Sequence, residues 1–357
     1  MSVRILHGDC RDVLKTLADE SVNCVVTSPP YFGLRDYGVD GQIGLEATPD
    51  AFVAELVAVF REVRRVLRKD GTCWVNLGDS YVSSPPGNKK PLKDADGAYT
   101  RRMALQTGHG EDREAIWACG LSTGLPHKSL IGMPWRVAFA LQADGWILRQ
   151  DIIWAKPNPM PESVQDRCTK SHEYVFLLSK SPRYHYDADA IAEPVTASTV
   201  ARLAQDVEAQ EGSHRVPGKT NGAMKAVGRA AGNKSHKYVD QYEAEESEQH
   251  RTKAGLMKVA DVAYDTRNAR SVWTIATQPF SEAHFATFPP ELAERCIKAG
   301  CPVGGTVLDP FFGAGTTGLV ADRLQRDCIG IELNPAYAEI ARNRIHRDAP
   351  LFAELPA

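Results

Sequence analysis

Hydrophobic and polar positions follow two alternating periods in the first part of the chain. Residues 22–27 are rich in β-branched residues, and the run ends at Pro29, which cannot continue a ladder. From residue 51 to 67, apolar side chains keep helical spacing while arginines occupy the opposite face, and Gly71 is suited to end the helix. Residues 72–77 return to a strand-like pattern. The pattern therefore predicts strand, helix and strand in succession.

The same succession recurs near the C-terminus. Residues 306–308 predict a strand, 316–324 a helix, 328–331 a second strand and 336–345 a second helix. Strand, helix and strand at this spacing predict an α/β fold, with a mainly parallel sheet and helices on both faces.

Two intervals break this rhythm. Residues 83–130 are rich in glycine, proline and charge, which predicts a long inserted loop. Residues 188–270 show almost no sustained apolar periodicity. Within them, residues 212–239 carry six bases and no acid, and residues 240–248 carry five acids and no base. We expect such a segment to bury little surface by itself and to be partly flexible.

The overall charge is less informative than its distribution. The 357 residues include 42 Lys plus Arg and 45 Asp plus Glu, so the formal net charge is -3. That total argues against a polyanionic partner, yet it hides the basic run and the acidic run that follows it. The clustering of positive charges along the chain, and not the net charge, therefore leaves a nucleic acid open as a partner.

The composition excludes several classes of protein. Charged residues make up 24% and hydrophobic residues 43%, an ordinary globular balance that argues against wholesale disorder. No stretch approaches the ~18 apolar residues of a membrane span, and the N-terminus has no signal-peptide layout. The eight cysteines are dispersed without a C-x-x-C pair, which predicts reduced, mostly buried thiols in a cytoplasmic protein and no metal site.

A Gly-rich segment joins the strand at 306–308 to the following helix. Residues 309–317 read Asp-Pro-Phe-Phe-Gly-Ala-Gly-Thr-Thr, in which glycines allow close approach of a ligand to the free N–H groups of a helix start. The next strand ends in Glu332, 23 positions after Asp309, where an acid is suited to bind ribose hydroxyls. These features predict an adenosine-containing cofactor, and the spacing leaves both a dinucleotide and S-adenosylmethionine open.

The strand at 22–27 ends in Ser28-Pro29-Pro30-Tyr31, where doubly wound sheets place their active sites. Two consecutive prolines fix the backbone and leave their carbonyls without ladder partners. A rigid carbonyl beside the Ser28 hydroxyl can accept two hydrogen bonds from one exocyclic amine, and Tyr31 offers a flat face for stacking. The alternative interpretation is a proline-rich turn with a packed tyrosine.

These two segments resemble the motifs of DNA amino-methyltransferases, which methylate the exocyclic nitrogen of cytosine or adenine. Ser-Pro-Pro-Tyr is similar to their catalytic motif, and Asp-Pro-Phe-x-Gly-x-Gly-Thr-Thr to their S-adenosylmethionine motif. The catalytic motif comes first, which resembles the permuted β group. The resemblance implies a Rossmann-like methyltransferase sheet with circularly permuted motif order, S-adenosylmethionine as cofactor and double-stranded DNA as substrate.

Other segments extend the resemblance to most of the chain. Residues 7–10 resemble the element whose Asp lies near the cofactor's adenine, and residues 154–176 resemble a block of many bacterial members. Residues 284–292 resemble the element that holds the methionine part, although Phe288 and Pro289 stand where a Lys is commoner. The residues implied to bind the cofactor are Asp9, Cys10, Phe285, Asp309, Phe311, Phe312, Gly313, Gly315, Thr316 and Glu332.

One of these assignments leaves an alternative. Asp309 either bonds to the cofactor or caps the turn, and nothing in the sequence separates the two. Phe312 with Gly313 and Gly315 is expected to form the floor under the methionine moiety.

The implied catalytic residues are Ser28, Pro29, Pro30 and Tyr31. Ser28 Oγ and the Pro29 carbonyl would accept the hydrogens of the target amine, while Tyr31 stacks on the flipped base. Ser in the first position favours methylation at N4 of cytosine, and N6 of adenine is the alternative. An NAD-linked oxidoreductase and an inactive DNA-binding module are more distant alternatives.

Contacts with DNA are expected from two places. Lys156 and Asn158 lie in the proline-rich loop of the 154–176 block, whereas His172 and Glu173 are expected to be only a hydrogen-bonded strand start. The basic run is the best candidate for phosphate contacts, and a solvated, disordered loop is the alternative interpretation. Its six bases are Arg215, Lys219, Lys225, Arg229, Lys234 and Lys237.

The domain organisation follows from the motif order. We expect residues 1–187 and 271–357 to be two parts of one catalytic domain, the second of them cofactor-binding, with the loop 83–130 inserted in the first. Residues 188–270 are expected to be the inserted target-recognition region. A homodimer and a cognate restriction enzyme, the latter as a functional partner, are both compatible with the resemblance.

Overall fold

The computed structural model describes residues 2–34, 37–82, 123–196, 266–278 and 288–348. Most of the predicted loop 83–130 and most of the interval 188–270 lie outside these ranges. The chain forms two compact units, one of residues Met1–Asp187 with Ser271–Ala357 and one of residues Ala188–Arg270. In the described part of the second unit, β6 (Glu193–Pro194) pairs with β7 (Thr266–Arg267) in antiparallel fashion.

The first unit is built on an eight-stranded sheet. Its strands are β1 (Val3–His7), β2 (Val22–Thr27), β3 (Leu67–Leu77), β4 (Ile147–Ala155), β5 (His172–Ser179), β8 (Val272–Thr274), β9 (Thr306–Asp309) and β10 (Asp327–Glu332). Their order in the sheet is β1-β10-β9-β2-β3-β5-β4-β8. Pairing is parallel from β1 through β10, β9 and β2 to β3, and antiparallel on both sides of β5. The α/β sheet predicted from the sequence is confirmed.

The helices connect these strands. They are α1 (Cys10–Val13), α2 (Pro49–Val66), α3 (Met133–Ala143), α4 (Pro290–Gly300), α5 (Thr316–Arg323) and α6 (Pro335–Asp348). Thr48 caps α2 by accepting a hydrogen bond from Ala51 N at 3.1 Å, and Pro49 occupies the first turn, where its missing N–H costs nothing. None of the described helices is long and apolar enough to cross a membrane.

The end of α2 differs from the sequence-based prediction. The helix ends at Val66 and β3 begins at once with Leu67, so Gly71 lies inside the strand and does not terminate the helix. Leu67 pairs with Val22, and the register then shifts so that Thr72 pairs with Cys24. The bulge brings Gly71 so close to Leu67 that a Cβ there would lie 2.6 Å from Leu67 Cδ1. Gly71 therefore serves close packing.

Alternate residues of β3 face two different layers. Cys73, Val75 and Leu77 are buried in the core that also contains the apolar face of α2. Thr72 and Trp74 point to the opposite face, where they meet Gly300 at the end of α4. Because successive side chains of a strand point to opposite faces, helices cover both sides of the sheet, as predicted.

The parallel register aligns the strand ends that carry candidate chemistry. Asp309 at the end of β9 pairs with Gly330 of β10, and Glu332 at the end of β10 pairs with His7 of β1. Val25 of β2 pairs with Leu308 of β9. The carboxyl ends of β1, β2, β9 and β10 therefore meet at one edge of the sheet, the usual position of a site in such folds.

Replacement of Gly300 by alanine tests the contact between α4 and β3. The new Cβ would lie 2.3 Å from Thr72 Oγ1 and 2.4 Å from Trp74 Nε1, inside a rigid buried layer. We expect Gly300→Ala to lower the free energy of unfolding by about 1–3 kcal/mol through overpacking, as measured by denaturant titration. Lys298→Ala on the half-exposed face of α4 is the control, and equal stability of the two variants would contradict the packing.

Candidate active site

The Ser28–Tyr31 segment leads into a hydrogen-bond network that joins three strands. The Tyr31 hydroxyl donates to Glu173 Oε2 at 2.7 Å and accepts a hydrogen bond from Asn76 Nδ2 at 2.9 Å. Asn76 Nδ2 also donates to Glu173 Oε2 at 3.0 Å and lies 3.4 Å from Ser28 Oγ. The loop after β2, the end of β3 and the start of β5 therefore converge on one group of polar side chains, which we call the Tyr31 cluster.

A buried ion pair completes this cluster. Lys156 Nζ donates to Glu173 Oε1 at 2.5 Å, and the two side chains are only 17% and 15% exposed. The same ammonium lies 4.2 Å from the centre of the Trp154 ring, a cation–π contact. Burial alone raises the pKa of Glu173, but the charge of Lys156 and the donors Tyr31 and Asn76 hold it below its ordinary range. Glu173 is therefore ionised at neutral pH.

The ring of Tyr31 is held by a close approach to the backbone. A Cβ added at Gly78 would lie 2.5 Å from Tyr31 Cε2, so only glycine leaves room for the ring. Burial, with the neighbouring negative charge of Glu173, raises the pKa of Tyr31 well above its ordinary value. Tyr31 is therefore a neutral phenol throughout the physiological range.

Asp309 connects the loop end of β2 to the Gly-rich turn. Its Oδ1 accepts hydrogen bonds from Thr27 Oγ1 at 2.6 Å and Phe311 N at 3.1 Å, and its Oδ2 accepts one from Thr317 Oγ1 at 2.7 Å. The side chain is buried, and burial raises the pKa of Asp309 to about 6 despite these donors. Of the two roles left open by the sequence, these contacts are those of a residue that caps the turn.

Phe312 packs inward beneath the Gly-rich turn. Its side chain is 3% exposed, and a Cβ at Gly318 or Gly330 would lie 2.6 or 2.4 Å from its ring atoms. The structure thus shows Phe312 as the internal support of the turn, while its neighbour Phe311 is half-buried. Thr316 is also buried, and its hydroxyl accepts a hydrogen bond from Arg344 Nη1 at 2.9 Å.

Glu332 lies against the open side of the same turn. Gly313 has a positive φ of 52°, and among the described residues none other than its two chain neighbours has an atom within 4 Å of the position of an added Cβ. Glu332 Oε2 accepts a hydrogen bond from Gly313 N at 2.7 Å, and Oε1 accepts one from Asn334 N at 2.8 Å. Burial raises the pKa of Glu332. Gly315 follows in the left-handed conformation, with φ 75°, and begins α5. A carboxylate beside a partly accessible glycine backbone suits a ligand with hydroxyl groups.

Asp9 and Cys10 lie at the neighbouring end of β1. Asp9 caps α1, accepting from Arg11 N, and both of its oxygens accept hydrogen bonds from the Arg11 guanidinium. Although burial raises the pKa of Asp9, these bonds hold it below its ordinary value. Burial raises the pKa of the Cys10 thiol to about 12, so Cys10 is a packing residue without thiolate chemistry.

The residues expected to contact DNA fall into three groups. Lys156 lies in the Tyr31 cluster, where its ammonium is bonded to Glu173. The exposed Asn158 holds the segment after β8, because its Oδ1 accepts from Thr277 N at 3.0 Å and its Nδ2 donates to Thr277 O at 3.3 Å. The six bases Arg215, Lys219, Lys225, Arg229, Lys234 and Lys237 lie outside the described residues, as does Phe285, which was expected to bind the cofactor and not DNA.

Sequence reasoning missed two members of the cluster. Glu173 does begin β5, as expected, but it is also the buried carboxylate on which Tyr31, Asn76 and Lys156 converge. The sequence pattern assigns Asn76 only to a strand. One signal was available, because a single asparagine interrupts an otherwise apolar run in residues 73–77. Glu173, the hydrogen-bond partner of Asn76 97 positions later, has no comparable signal in the surrounding sequence.

Comparison with known proteins gives consistent results. A family model described as DNA methylase matches residues 22–343. The type II methyltransferase M.SmaI of Serratia marcescens is 41% identical over 346 residues, covering 97% of this chain and 91% of the relative. M.Cfr9I of Citrobacter freundii is 42% identical over 341 residues, covering 96% and 87%.

Solved structures share the fold. The PvuII DNA methyltransferase (cytosine-N4-specific) superposes with a TM-score of 0.56 at 17% identity, covering 100% of this chain and 89% of that one. A DNA modification methylase of Thermus thermophilus, TTHA0409, complexed with S-adenosyl-L-methionine, superposes with a TM-score of 0.51 at 23% identity, covering 98% and 97%. At these identities the likeness concerns the fold alone.

Replacement of Asp309 by asparagine tests the buried carboxylate. Asn can keep the bonds from Thr27 and Phe311 and donate to Thr317, whose hydroxyl lies 3.4 Å from the Val26 carbonyl. Because the pKa of Asp309 is higher in the folded than in the unfolded chain, the wild-type free energy of unfolding falls as pH rises from 4 through 6.

Asp309→Asn lacks this decrease. Between pH 4 and pH 8 the free energy of unfolding, measured by denaturant titration, should therefore fall by up to about 3 kcal/mol more in the wild type than in the variant. Asp12→Asn at an exposed carboxylate is the control and should follow the wild-type curve. Parallel curves for Asp309→Asn and wild type would contradict the assignment.

Proposed function

Because this chain belongs to the family of N6/N4 DNA methylases, we propose that it methylates the exocyclic N4 of cytosine at specific sites in duplex DNA. Membership of the family shows that the chain is a DNA methyltransferase. Methylation of cytosine at N4, and not of adenine at N6, is our proposal. The observation that supports it best is the Ser28–Tyr31 segment at the carboxyl end of β2, joined through Thr27 and Asp309 to the Gly-rich turn. A serine in the first position favours cytosine, and the PvuII enzyme that shares the fold is cytosine-N4-specific.

Ser28 and Pro29 orient the target amine in this proposal. The lone pair of an amine on an aromatic ring is delocalised, so the nitrogen is a poor nucleophile. Ser28 Oγ and the Pro29 carbonyl accept its two hydrogens and favour a pyramidal nitrogen whose lone pair is directed at the methyl group. Pro30 keeps the turn rigid. Leaving the duplex costs the base roughly a few kcal/mol, which stacking on Tyr31 offsets in part.

S-adenosylmethionine is the cofactor of this reaction and supplies its sulfonium methyl group when bound. The residues at the turn fit such a group, because Gly313 is open to approach and Glu332 presents a carboxylate beside it for the ribose hydroxyls. Phe311 offers a half-exposed ring, and Asp9 lies at the neighbouring strand end for the adenine amine. Phe312 acts from below by supporting the turn.

We propose the interval 188–270 as the target-recognition region, whose six bases between 212 and 239 contact DNA phosphates. Lys156 and Asn158, in the loop after β4, are proposed as further contacts with DNA. A homodimer and a cognate restriction endonuclease as functional partner are further parts of the proposal. The type II designation of the relatives supports the endonuclease.

Nucleoside analysis tests the choice of base. Duplex DNA treated with the enzyme and labelled S-adenosylmethionine should yield N4-methylcytosine after digestion. We expect Ser28→Ala to lower kcat by at least about 100-fold, because it removes an acceptor of the amine hydrogen. Ser21→Ala, at an exposed serine, is the control and should retain wild-type activity. N6-methyladenine as the product would contradict the proposal.

The salt dependence of DNA binding tests the basic run. Each phosphate neutralised contributes about 0.9 to the slope of log K against log salt concentration. Replacing all six bases by glutamine should therefore reduce that slope by up to about 5. A matched variant with Glu243, Glu245, Glu246 and Glu248 changed to glutamine should not reduce it. An unchanged slope and affinity in the first variant would exclude the run as a phosphate contact.

A further inference from the structure

We infer that Glu173, held by Lys156, is a positioning residue for methyl transfer, because it fixes the Tyr31 ring and the Asn76 amide beside Ser28. The inference rests on the proposed function, in which Ser28 and Tyr31 bind the target base. Glu173 itself does not touch the reacting atoms, so it acts through its neighbours. The inference is based on the position of one carboxylate, which accepts hydrogen bonds from a side chain of β3 and from side chains of the loops after β2 and β4.

The two carboxylate oxygens of Glu173 have separate tasks. Oε2 accepts hydrogen bonds from both Tyr31 Oη and Asn76 Nδ2, while Oε1 accepts one from Lys156 Nζ. Since Tyr31 also packs against Gly78 with no room for a Cβ, its ring is fixed both near Cε2 and at its hydroxyl. The surface on which a flipped base stacks is therefore set by a residue of β5.

The same carboxylate decides the orientation of the Asn76 amide. Asn76 Nδ2 faces three oxygens, those of Tyr31, Glu173 and Ser28. Turning the amide by 180° would direct Oδ1 at the negatively charged carboxylate, which is repulsive. In the part of the chain that the structure describes, the buried Oδ1 accepts no hydrogen bond. The amide is thus oriented by Glu173, with its NH2 group directed at Ser28 Oγ, the proposed acceptor of the target amine.

Lys156 maintains this arrangement by keeping Glu173 charged. A buried carboxylate without a cation is costly to ionise, and in its neutral form it would offer a donor to groups that are themselves donors. The groups that face Glu173 are Tyr31, Asn76 and Lys156, with Lys170 as a more distant positive charge. The pair is neutral overall, which suits a role in orientation more than one in stabilising charge.

A conservative substitution tests the positioning role. Glu173→Gln keeps the shape of the side chain but presents an NH2 group either to Lys156 or to Tyr31 and Asn76. We expect kcat to fall by at least about tenfold, while the dissociation constant for S-adenosylmethionine, measured by calorimetry, stays at the wild-type value. Glu294→Gln on α4, in a half-exposed ion pair with Lys298, is the matched control and should retain wild-type kcat. A kcat for Glu173→Gln within twofold of wild type would overturn the inference.

The pH profile of Lys156→Met is a second readout, and it remains informative if Glu173→Gln does not fold. Without the ammonium, burial raises the pKa of Glu173 above its ordinary value, so the active ionised form is lost as pH falls through the raised value. The acid limb of kcat should therefore move at least about one pH unit toward neutrality. A limb at the wild-type position would contradict the inference.

A double-mutant cycle separates positioning from a general structural effect. Tyr31→Phe removes the hydroxyl that Glu173 binds, so the losses in kcat from Tyr31→Phe and Glu173→Gln should not multiply when the two changes are combined. Fully multiplicative losses would overturn the inference.

Product analysis of the same reactions keeps the two proposals distinct. Methyl transfer to adenine N6 would contradict the choice of cytosine, whereas the ratio of variant to wild-type kcat would still decide the role of Glu173.

Discussion

The buried carboxylate of Asp309 is the contact on which the arrangement of the site depends. A carboxylate in the interior requires hydrogen-bond donors, because no bulk water replaces them. Asp309 takes these donors from Thr27 at the end of β2, from the backbone at Phe311 and from Thr317 on α5. The bond to Thr27 joins residues 282 positions apart. The proposed base-binding loop and the Gly-rich turn are therefore held at one edge of the sheet by a single side chain.

Glu173 is a second buried carboxylate that accepts hydrogen bonds, but one of its donors is a cation. Asp309 is surrounded by neutral donors, and burial raises its pKa to about 6. Glu173 has the ammonium of Lys156 as well, so its pKa is held below the ordinary range in spite of burial. The first group ties backbone segments together, whereas the second is a permanent anion that orients the polar ends of Tyr31 and Asn76. The difference comes from one cation and not from the degree of burial.

Local sequence predicted the elements better than their ends or their contacts. The strands and helices on both sides of the Gly-rich turn follow the predicted pattern, since apolar periodicity directly reflects which face of an element is buried. The prediction that Gly71 ends the helix is wrong, because the pairing of Leu67 with Val22 converts the chain to strand directly after Val66. Phe312 was expected to face the cofactor, yet its packing against Gly318 and Gly330 depends on α5 and β10 together.

The sequence by itself determined the α/β class, the order of the two motifs and the family, because these depend on residues that are close together along the chain. The tertiary structure alone decided which side chains share a site. Asn76, Lys156 and Glu173 come from β3, from the loop after β4 and from β5, and nothing near any of them in the sequence indicates the others. Strand order and register bring them to Tyr31. Hydrogen bonds and ion pairs act over about 3 Å in space irrespective of separation along the chain, so only the folded sheet defines them.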